Sequence, residues 1–247
     1  MFDIKLFRKS FKKTRVNSIE KNHFFIAGCD EVGRGPLAGP VVAACVSLHF
    51  EEYQEKEIKL LLKEWSIFGI NDSKKLTSEK RQQIISDLPI KSPLAANQIY
   101  THHYSKNMSL KILIKEIPPQ TIDVINILNA SMLAMKEAAT LSCDFVNHGL
   151  VLIDGNRKFS NESITVDLMP IISGDEKSLL IGLASVVAKE YRDELMKKYC
   201  SQFPGYHWSS NAGYGTKKHR EAIAALGVTE LHRKTFGGVK EFYEERG

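Results

Sequence analysis

The strongest constraint on the fold comes from a short run, Leu150-Val151-Leu152-Ile153-Asp154-Gly155, which is wholly apolar until it stops on an acid and a glycine. Such a run, bounded by a turn dipeptide, predicts a buried β-strand. Phe24 to Asp30 and Val41 to Leu48 predict two more strands, joined by the Gly- and Pro-rich turn Gly33-Arg34-Gly35-Pro36-Leu37-Ala38-Gly39-Pro40 as a hairpin-like entry. Leu94 to Thr101 reads as a returning strand, and Ile164 to Leu168 and Pro170 to Ser173 as weaker ones. Helices are expected over Glu51 to Trp65, Thr77 to Leu88, Ser178 to Tyr199 and Thr216 to Leu226. A longer helix is opened by Pro118 and Pro119 and runs to about Leu141, with Ile122, Ile125, Leu128, Met132 and Met135 at helical spacing. Strands interleaved with helices of crossover length predict an α/β domain with a mixed sheet and a helical C-terminal end.

With 247 residues, 43% hydrophobic and 26% charged, the chain has material for a substantial core. No apolar run approaches the roughly 20 residues that span a bilayer, and the first residues carry no secretory h-region, so no membrane association and a cytoplasmic location are expected. Cys29, Cys45, Cys143 and Cys200 form no CxxC pair, which argues against a zinc ribbon or a disulfide scaffold. Residues 1–21 hold seven Lys/Arg against Asp3 and Glu20, the whole net charge of +5, and leave the remainder neutral. Such a leader reads either as a solubilising tail or as a nucleic-acid arm. Residues 189–240 form a second basic zone, with ten Lys/Arg against five Asp/Glu.

Three acidic positions fall at strand or helix ends. Asp30-Glu31 closes the first strand, where following glycines let the chain turn, although an adjacent acid pair is also an ordinary loop feature. Asp154 ends the apolar strand and is equally readable as an Asp-Gly turn acid. Asp175 precedes a helix, where Ser173-x-x-Glu176 has the form of a capping box. Gathered on one sheet edge, these carboxylates would suit two divalent cations, since hard ions take oxygen ligands and four carboxylates roughly cancel two Mg²⁺. Gly33-x-Gly35-x-x-Ala38 loosely fits a dinucleotide fingerprint, but Pro36, Gly39 and Pro40 punctuate the segment where a helix should begin.

A polyanionic substrate needs cations and exposed rings as well. Lys74-Lys75 precedes a predicted helix, within reach of phosphates there or simply solvated. Tyr214 lies between two glycines, which would expose a ring able to stack on sugars or bases, or make a plain loop.

These pieces together resemble the bacterial ribonuclease HII family. The resemblance rests on Gly28-x-Asp30-Glu31-Val32-Gly33-Arg34-Gly35-Pro36-Leu37-Ala38-Gly39-Pro40, Asn71-Asp72-Ser73-Lys74-Lys75-Leu76, Ile153-Asp154-Gly155-Asn156 and Gly174-Asp175-x-x-Ser178. It continues through Ala184-Ser185-x-x-Ala188-Lys189-x-x-Arg192-Asp193, Gly213-Tyr214-Gly215-Thr216-x-x-His219 and His232-Arg233-Lys234-Thr235-Phe236, in that order over about residues 24–236. It implies a ribonuclease H-like α/β fold: a mixed five-stranded sheet flanked by helices, with a C-terminal helical extension. The division implied is a basic leader over 1–22, a catalytic domain over 23–199 and an extension over 200–247 completing a cleft. The implied activity is metal-dependent hydrolysis of the RNA strand of RNA/DNA hybrids. It includes nicking 5′ of single ribonucleotides in duplex DNA, leaving 3′-OH and 5′-phosphate ends.

By the same resemblance Asp30, Glu31, Asp154 and Asp175 would be catalytic and would bind two Mg²⁺ or Mn²⁺ ions. Gly33, Arg34 and Gly35 would recognise the ribose 2′-OH, Tyr214 would stack on the next deoxyribose, Lys74 would contact the phosphate backbone, and Ser185 would be a further contact near the site. The partners implied are RNA/DNA hybrid and ribonucleotide-containing DNA duplex, with no nucleotide cofactor, and nothing demands more than a monomer. Asp167 and Asp193 compete for the place of the fourth acid, with Asp193 reading as an ion-pair residue inside its helix. Ile181-Gly182-Leu183 stands where alanine-rich residues are more usual. The alternatives are a ribonuclease HIII-like hybrid nuclease and a non-catalytic nucleic-acid-binding module.

Overall fold

The chain is described here by a computed structural model over residues 2–14, 23–67, 69–70, 76–90, 93–145, 147–163 and 165–244. Its strands are β1 (Phe24–Val32), β2 (Val41–Phe50), β3 (Ile99–His103), β4 (Met108–Ile117), β5 (His148–Asp154) and β6 (Val166–Ile171). They form one sheet in the order β3-β4-β2-β1-β5-β6. β1 pairs antiparallel with β2, which pairs antiparallel with β4, while β1–β5 and β5–β6 are parallel. The sheet is therefore mixed, with six strands where five are expected, and β3 forms the outer antiparallel edge. β4 falls in a stretch assigned no structure from the sequence. Its buried Met108, Leu110, Ile112 and Ile114 alternate with Ser109, Lys111 and Leu113, a period of two.

The helices are α1 (Phe2–Thr14), α2 (Glu55–Ser66), α3 (Ser78–Asp87), α4 (Pro119–Ile125), α5 (Ile127–Cys143), α6 (Gly174–Lys177), α7 (Leu179–Gln202), α8 (Trp208–Asn211), α9 (Lys217–Leu226) and α10 (Glu241–Glu244). One sheet face carries α7, with α1, α2 and α3 around it, over a core that includes Ile26, Leu48, Leu62, Ile112 and Leu152. The opposite face packs on α5 through Phe25, Cys45, Met135, Ala138 and Val151. Burial on both faces is why Leu150 to Ile153 is apolar at every position. A third cluster around Trp208, Met196 and Leu37 joins the C-terminal helices to the turn after β1. The four cysteines are free thiols, three of them buried. Among the described residues no helix is long and apolar enough to cross a membrane.

Further expectations change, and the two weaker strands expected over 164–168 and 170–173 are the single strand β6. The helix predicted from Pro118 to about Leu141 is two helices, broken at Asn126, whose φ of 64° no helix accommodates. Asparagine tolerates positive φ, and its side chain caps α5 by accepting from the Asn129 N–H at 3.1 Å. The described part of the leader is not a free tail. α1 buries Ile4 and Phe7 in the core, Phe7 meets Phe50 edge-on at 5.3 Å, and Arg8 pairs with Glu55. Residues 15–22, the rest of the leader, lie outside the described residues.

Candidate active site

The parallel pairing of β1 with β5 ends at Cys29 opposite Ile153, so Asp30, Glu31 and Asp154 follow it directly at the carboxyl end of two adjacent interior strands. This is the edge where open α/β sheets carry their sites. Asp30 is 5% exposed; its Oδ1 accepts from the Glu31 N–H at 2.7 Å, and the Ser185 hydroxyl on α7 hydrogen-bonds its carboxylate. Even so, burial and then the negative charges of Glu31 and Asp154 push the Asp30 carboxyl well above its usual range. Burial also raises Glu31, opposed by the Arg34 guanidinium 3.3 Å away and reinforced by Asp154.

Asp154 is more than a turn residue. Its Oδ1 accepts from the Gly174 N–H at 2.7 Å, anchoring the start of α6, the turn that carries the buried Asp175. A Cβ on Gly174 would stand 3.0 Å from that oxygen and 2.6 Å from Ile181. The capping box does not form: Ser173 adopts φ 52° with no side-chain cap, and Ser178 caps α7 instead by accepting from the Ile181 N–H at 3.1 Å. Gly182 lets α7 approach Asp175, since a Cβ there would lie 2.9 Å from the Asp175 carbonyl oxygen and 2.7 Å from that of Ile70. The competing acids lie in other contacts. Asp167 is bonded by Ser10, and Asp193 pairs with Arg81 at 3.0 Å and Lys189 at 2.7 Å.

The donor set at this edge is all carboxylate oxygen, the chemistry that suits Mg²⁺ or Mn²⁺. Among the described residues no three acids, histidines or cysteines are already gathered into a metal cage. The fit rests on that donor chemistry and on the adjacency of Asp30, Glu31 and Asp154 at the ends of paired strands, where a cation would offset the cost of burying their charges.

Beside the acids, the turn Gly33 to Pro40 is held from within by two arginines that are fully buried. Arg233 donates to the carbonyls of Gly33, Arg34 (2.9 Å) and Gly39 (3.0 Å). Arg192 donates to those of Pro40 (3.0 Å), Ala38 (3.1 Å) and Ala212 (2.8 Å). Burial lowers Arg192 to about 10, and burial together with the Arg192 charge lowers Arg233 to about 9, so both remain cations at neutral pH. Gly33, at φ 90°, leaves room for Arg192, whose Nε would lie 2.3 Å from a Cβ. With the carbonyls turned inward, the amides of Gly33, Arg34 and Gly35 donate to no group among the described residues.

Tyr214 sits against this turn, its ring 3.5 Å from where a Gly35 Cβ would be, and it is 43% exposed. Its loop is tied to the turn by the Leu37 N–H donating to the Gly213 carbonyl at 2.8 Å. Three buried rings, Trp208, His219 and His232, hold the loop from below, with Thr229 behind them. The Thr229 N–H donates to His232 Nδ1 at 2.9 Å, which leaves the His232 Nε2–H to donate to His219 Nε2 at 3.2 Å. Trp208 Nε1–H donates to the same nitrogen at 2.9 Å, and His219 Nδ1–H donates to the Tyr214 carbonyl at 2.9 Å. The bonds accepted by His232 Nδ1 and His219 Nε2 require neutral imidazole, and burial lowers both rings, His232 to about 4.

The structure thus brings Asp30, Glu31 and Asp154 together, with Asp175 on the turn that Asp154 anchors, Ser185 on Asp30, and Gly33, Arg34, Gly35 and Tyr214 alongside. Lys74 lies outside the described residues. The basic zone over 189–240 is not a continuous surface patch, because Arg192, His219, His232 and Arg233 are buried inside it. The two arginines that hold the turn are not singled out by composition. Their only sequence signal was membership of the ordered motifs, since a buried arginine and a solvated one look alike in a single chain.

The ribonuclease HII family model matches residues 27–239. The chain is 39% identical over 221 residues to ribonuclease HII of Zymomonas mobilis subsp. mobilis, covering 89% of this chain and 87% of that protein. Among solved structures it is similar to ribonuclease H2 of Pyrococcus horikoshii OT3, with a TM-score of 0.60 at 19% identity over 90% of this chain and 98% of that one. Bst-RNase HIII, solved in complex with Mn²⁺, also matches with a TM-score of 0.60, at 15% identity over 92% of this chain and 71% of that one. Sequence and fold agree that the chain belongs to the ribonuclease HII family and is a ribonuclease that acts on RNA/DNA.

Proposed function

We propose that this enzyme cuts beside a ribonucleotide by reading its sugar with the Gly33–Gly35 amides while the acids next to them act on the adjoining phosphodiester. The observation that carries this is the juxtaposition of the carboxylates with amides that donate to no group among the described residues: only Val32 separates Glu31 from Gly33. The amides can hydrogen-bond a 2′-oxygen, the group that distinguishes RNA from DNA. Tyr214, exposed against Gly35, offers a stacking face to the neighbouring sugar.

Asp30, Glu31, Asp154 and Asp175 would hold two divalent cations, Mg²⁺ or Mn²⁺. Bound there, such ions supply positive charge to the attacked phosphate, activate water and stabilise the leaving oxygen. Without a cation the carboxylates would repel the phosphate. Ser185 holds the Asp30 carboxylate in place, and Asp154 orients the Asp175 turn through the Gly174 amide. The products proposed are a 3′-OH and a 5′-phosphate, from a nick 5′ of the ribonucleotide.

The test is cleavage of an end-labelled RNA/DNA hybrid by wild type and by Asp30→Asn and Asp154→Asn, with Mg²⁺, with Mn²⁺ and with chelator, the termini being identified enzymatically. Metal-dependent 3′-OH and 5′-phosphate ends, lost in both variants while hybrid binding is retained, are expected. Cleavage in chelator, or full turnover by either variant, overturns the proposal.

A further inference from the structure

Helix α1 places a carboxylate where capping alone does not require one. Asp3 is 1% exposed, and among the described residues no cation pairs with it. Its oxygens accept from the Ser178 hydroxyl and from the Leu179 N–H at 3.1 Å. Ser178 already caps α7 through the Ile181 N–H, so Asp3 is a second acceptor on the same helix start, brought in from a distant segment.

What Asp3 grips is the joint between two elements of the site. The Ser178 N–H donates to the Gly174 carbonyl at 2.7 Å and closes α6, which presents Asp175. From Leu179 onward α7 runs to Ser185, the residue bonded to Asp30. The first turn of α7 also lies backbone to backbone on β1, since a Cβ on Gly28 would meet the Ile181 nitrogen at 2.3 Å. A shift of Ser178 would therefore move Asp175 relative to the acids of β1 and β5. Ile4 and Phe7, buried in the core, fix α1 so that the grip is rigid.

We propose that Asp3 is a positioning residue for the acidic site: by tying α1 to Ser178 and Leu179 it sets where Asp175 stands against Asp30, Glu31 and Asp154, and so how tightly the site holds a divalent cation. This rests on the reading of Asp175 as a ligand.

The test is Mn²⁺ binding to the full chain without nucleic acid, followed by the electron paramagnetic resonance of free Mn²⁺, together with thermal melting in chelator. Asp3→Ala is expected to bind Mn²⁺ about tenfold more weakly, the scale of losing an outer support of a metal ligand. Asp3→Asn, which keeps its shape and one acceptor for the Leu179 N–H, should fall between the two and covers the case in which Asp3→Ala does not fold. Adding Asp3→Ala to Asp175→Asn should weaken binding no further than Asp175→Asn alone. Lower melting temperatures with unchanged Mn²⁺ affinity in Asp3→Asn and Asp3→Ala, or full additivity with Asp175→Asn, overturn the proposal. Wild-type affinity in Asp175→Asn overturns the ligand reading, and this inference with it.

Discussion

The Arg233 Nη1 donates to the main-chain carbonyl of Arg34 at 2.9 Å, across 199 positions of sequence. A cation from the C-terminal segment thereby shapes the backbone that lies beside the acids. Asp123 secures that segment in turn, accepting from the Lys234 and Thr235 N–H groups at 3.0 Å.

Replacing Arg233 by lysine keeps the charge and removes the planar fork, so no more than part of the three-carbonyl grip survives. Arg233→Lys is expected to lower kcat/KM on an RNA/DNA hybrid about 100-fold, the cost of ångström-scale misplacement at a reacting centre. Mn²⁺ affinity should change far less, because Asp30 and Asp154 are held by Ser185 and the Gly174 N–H and not by this grip. Steady-state kinetics and metal titration on the same preparation check both halves.

Tyr214 is held by its backbone while its ring is free. Tyr214→Ala should therefore weaken binding of duplex containing a ribonucleotide by roughly 1–3 kcal/mol, the worth of one stacking platform. Tyr214→Phe should retain nearly all of the affinity, and the melting temperature should stay at the wild-type value in both. A binding isotherm and a melting curve for each variant suffice.

Helix propensity alone says that alanine at Gly182 would stabilise α7 by about 1 kcal/mol. The packing says the reverse, because the new Cβ would lie within 2.7 Å and 2.9 Å of two carbonyl oxygens. Gly182→Ala is expected to lower the urea midpoint, with a loss of about 1–3 kcal/mol from overpacking.

The His232 and His219 rings are buried in the neutral form, while in the unfolded chain a histidine titrates near its ordinary value of about 6.5. The folded state thus binds fewer protons than the unfolded state between that value and about 4, where His232 titrates. Stability should be fully present above about pH 6.5 and fall as the solution is acidified, by up to about 1.4 kcal/mol per pH unit for each such ring. His49, lowered to about 3 by burial and then by Lys111 and His23, adds to the same slope. Urea denaturation between pH 7 and pH 4.5 measures it, and His232→Gln should flatten the dependence.

The β1–β2 hairpin, the β5 strand and the positions of Asp30, Glu31 and Asp154 were legible because burial on both faces forces apolar runs, and a carboxylate ending such a run stands out. β4 was harder to see because Lys111, Lys115 and Glu116 dilute its apolar alternation. The break at Asn126 hid inside continuous helical periodicity, where one residue at positive φ leaves the apolar spacing almost untouched. Arg192 and Arg233 count as members of a basic zone, since composition cannot tell a cation held by carbonyls from one held by water. The docking of α1 is invisible in the sequence because its basic residues dominate it, whereas the side chains it buries are those of Asp3, Ile4, Phe7 and Ser10.

The central claim is that sugar recognition and bond cleavage are performed by adjoining parts of one strand end. It is tested most directly by an end-labelled DNA duplex with a single embedded ribonucleotide, beside all-DNA and all-RNA duplexes, with Mg²⁺ or Mn²⁺ and with chelator. The account predicts one metal-dependent nick, immediately 5′ of the ribonucleotide, and no cut in the all-DNA duplex. No nick with either metal from folded protein, or cleavage without regard to the ribonucleotide, would contradict it.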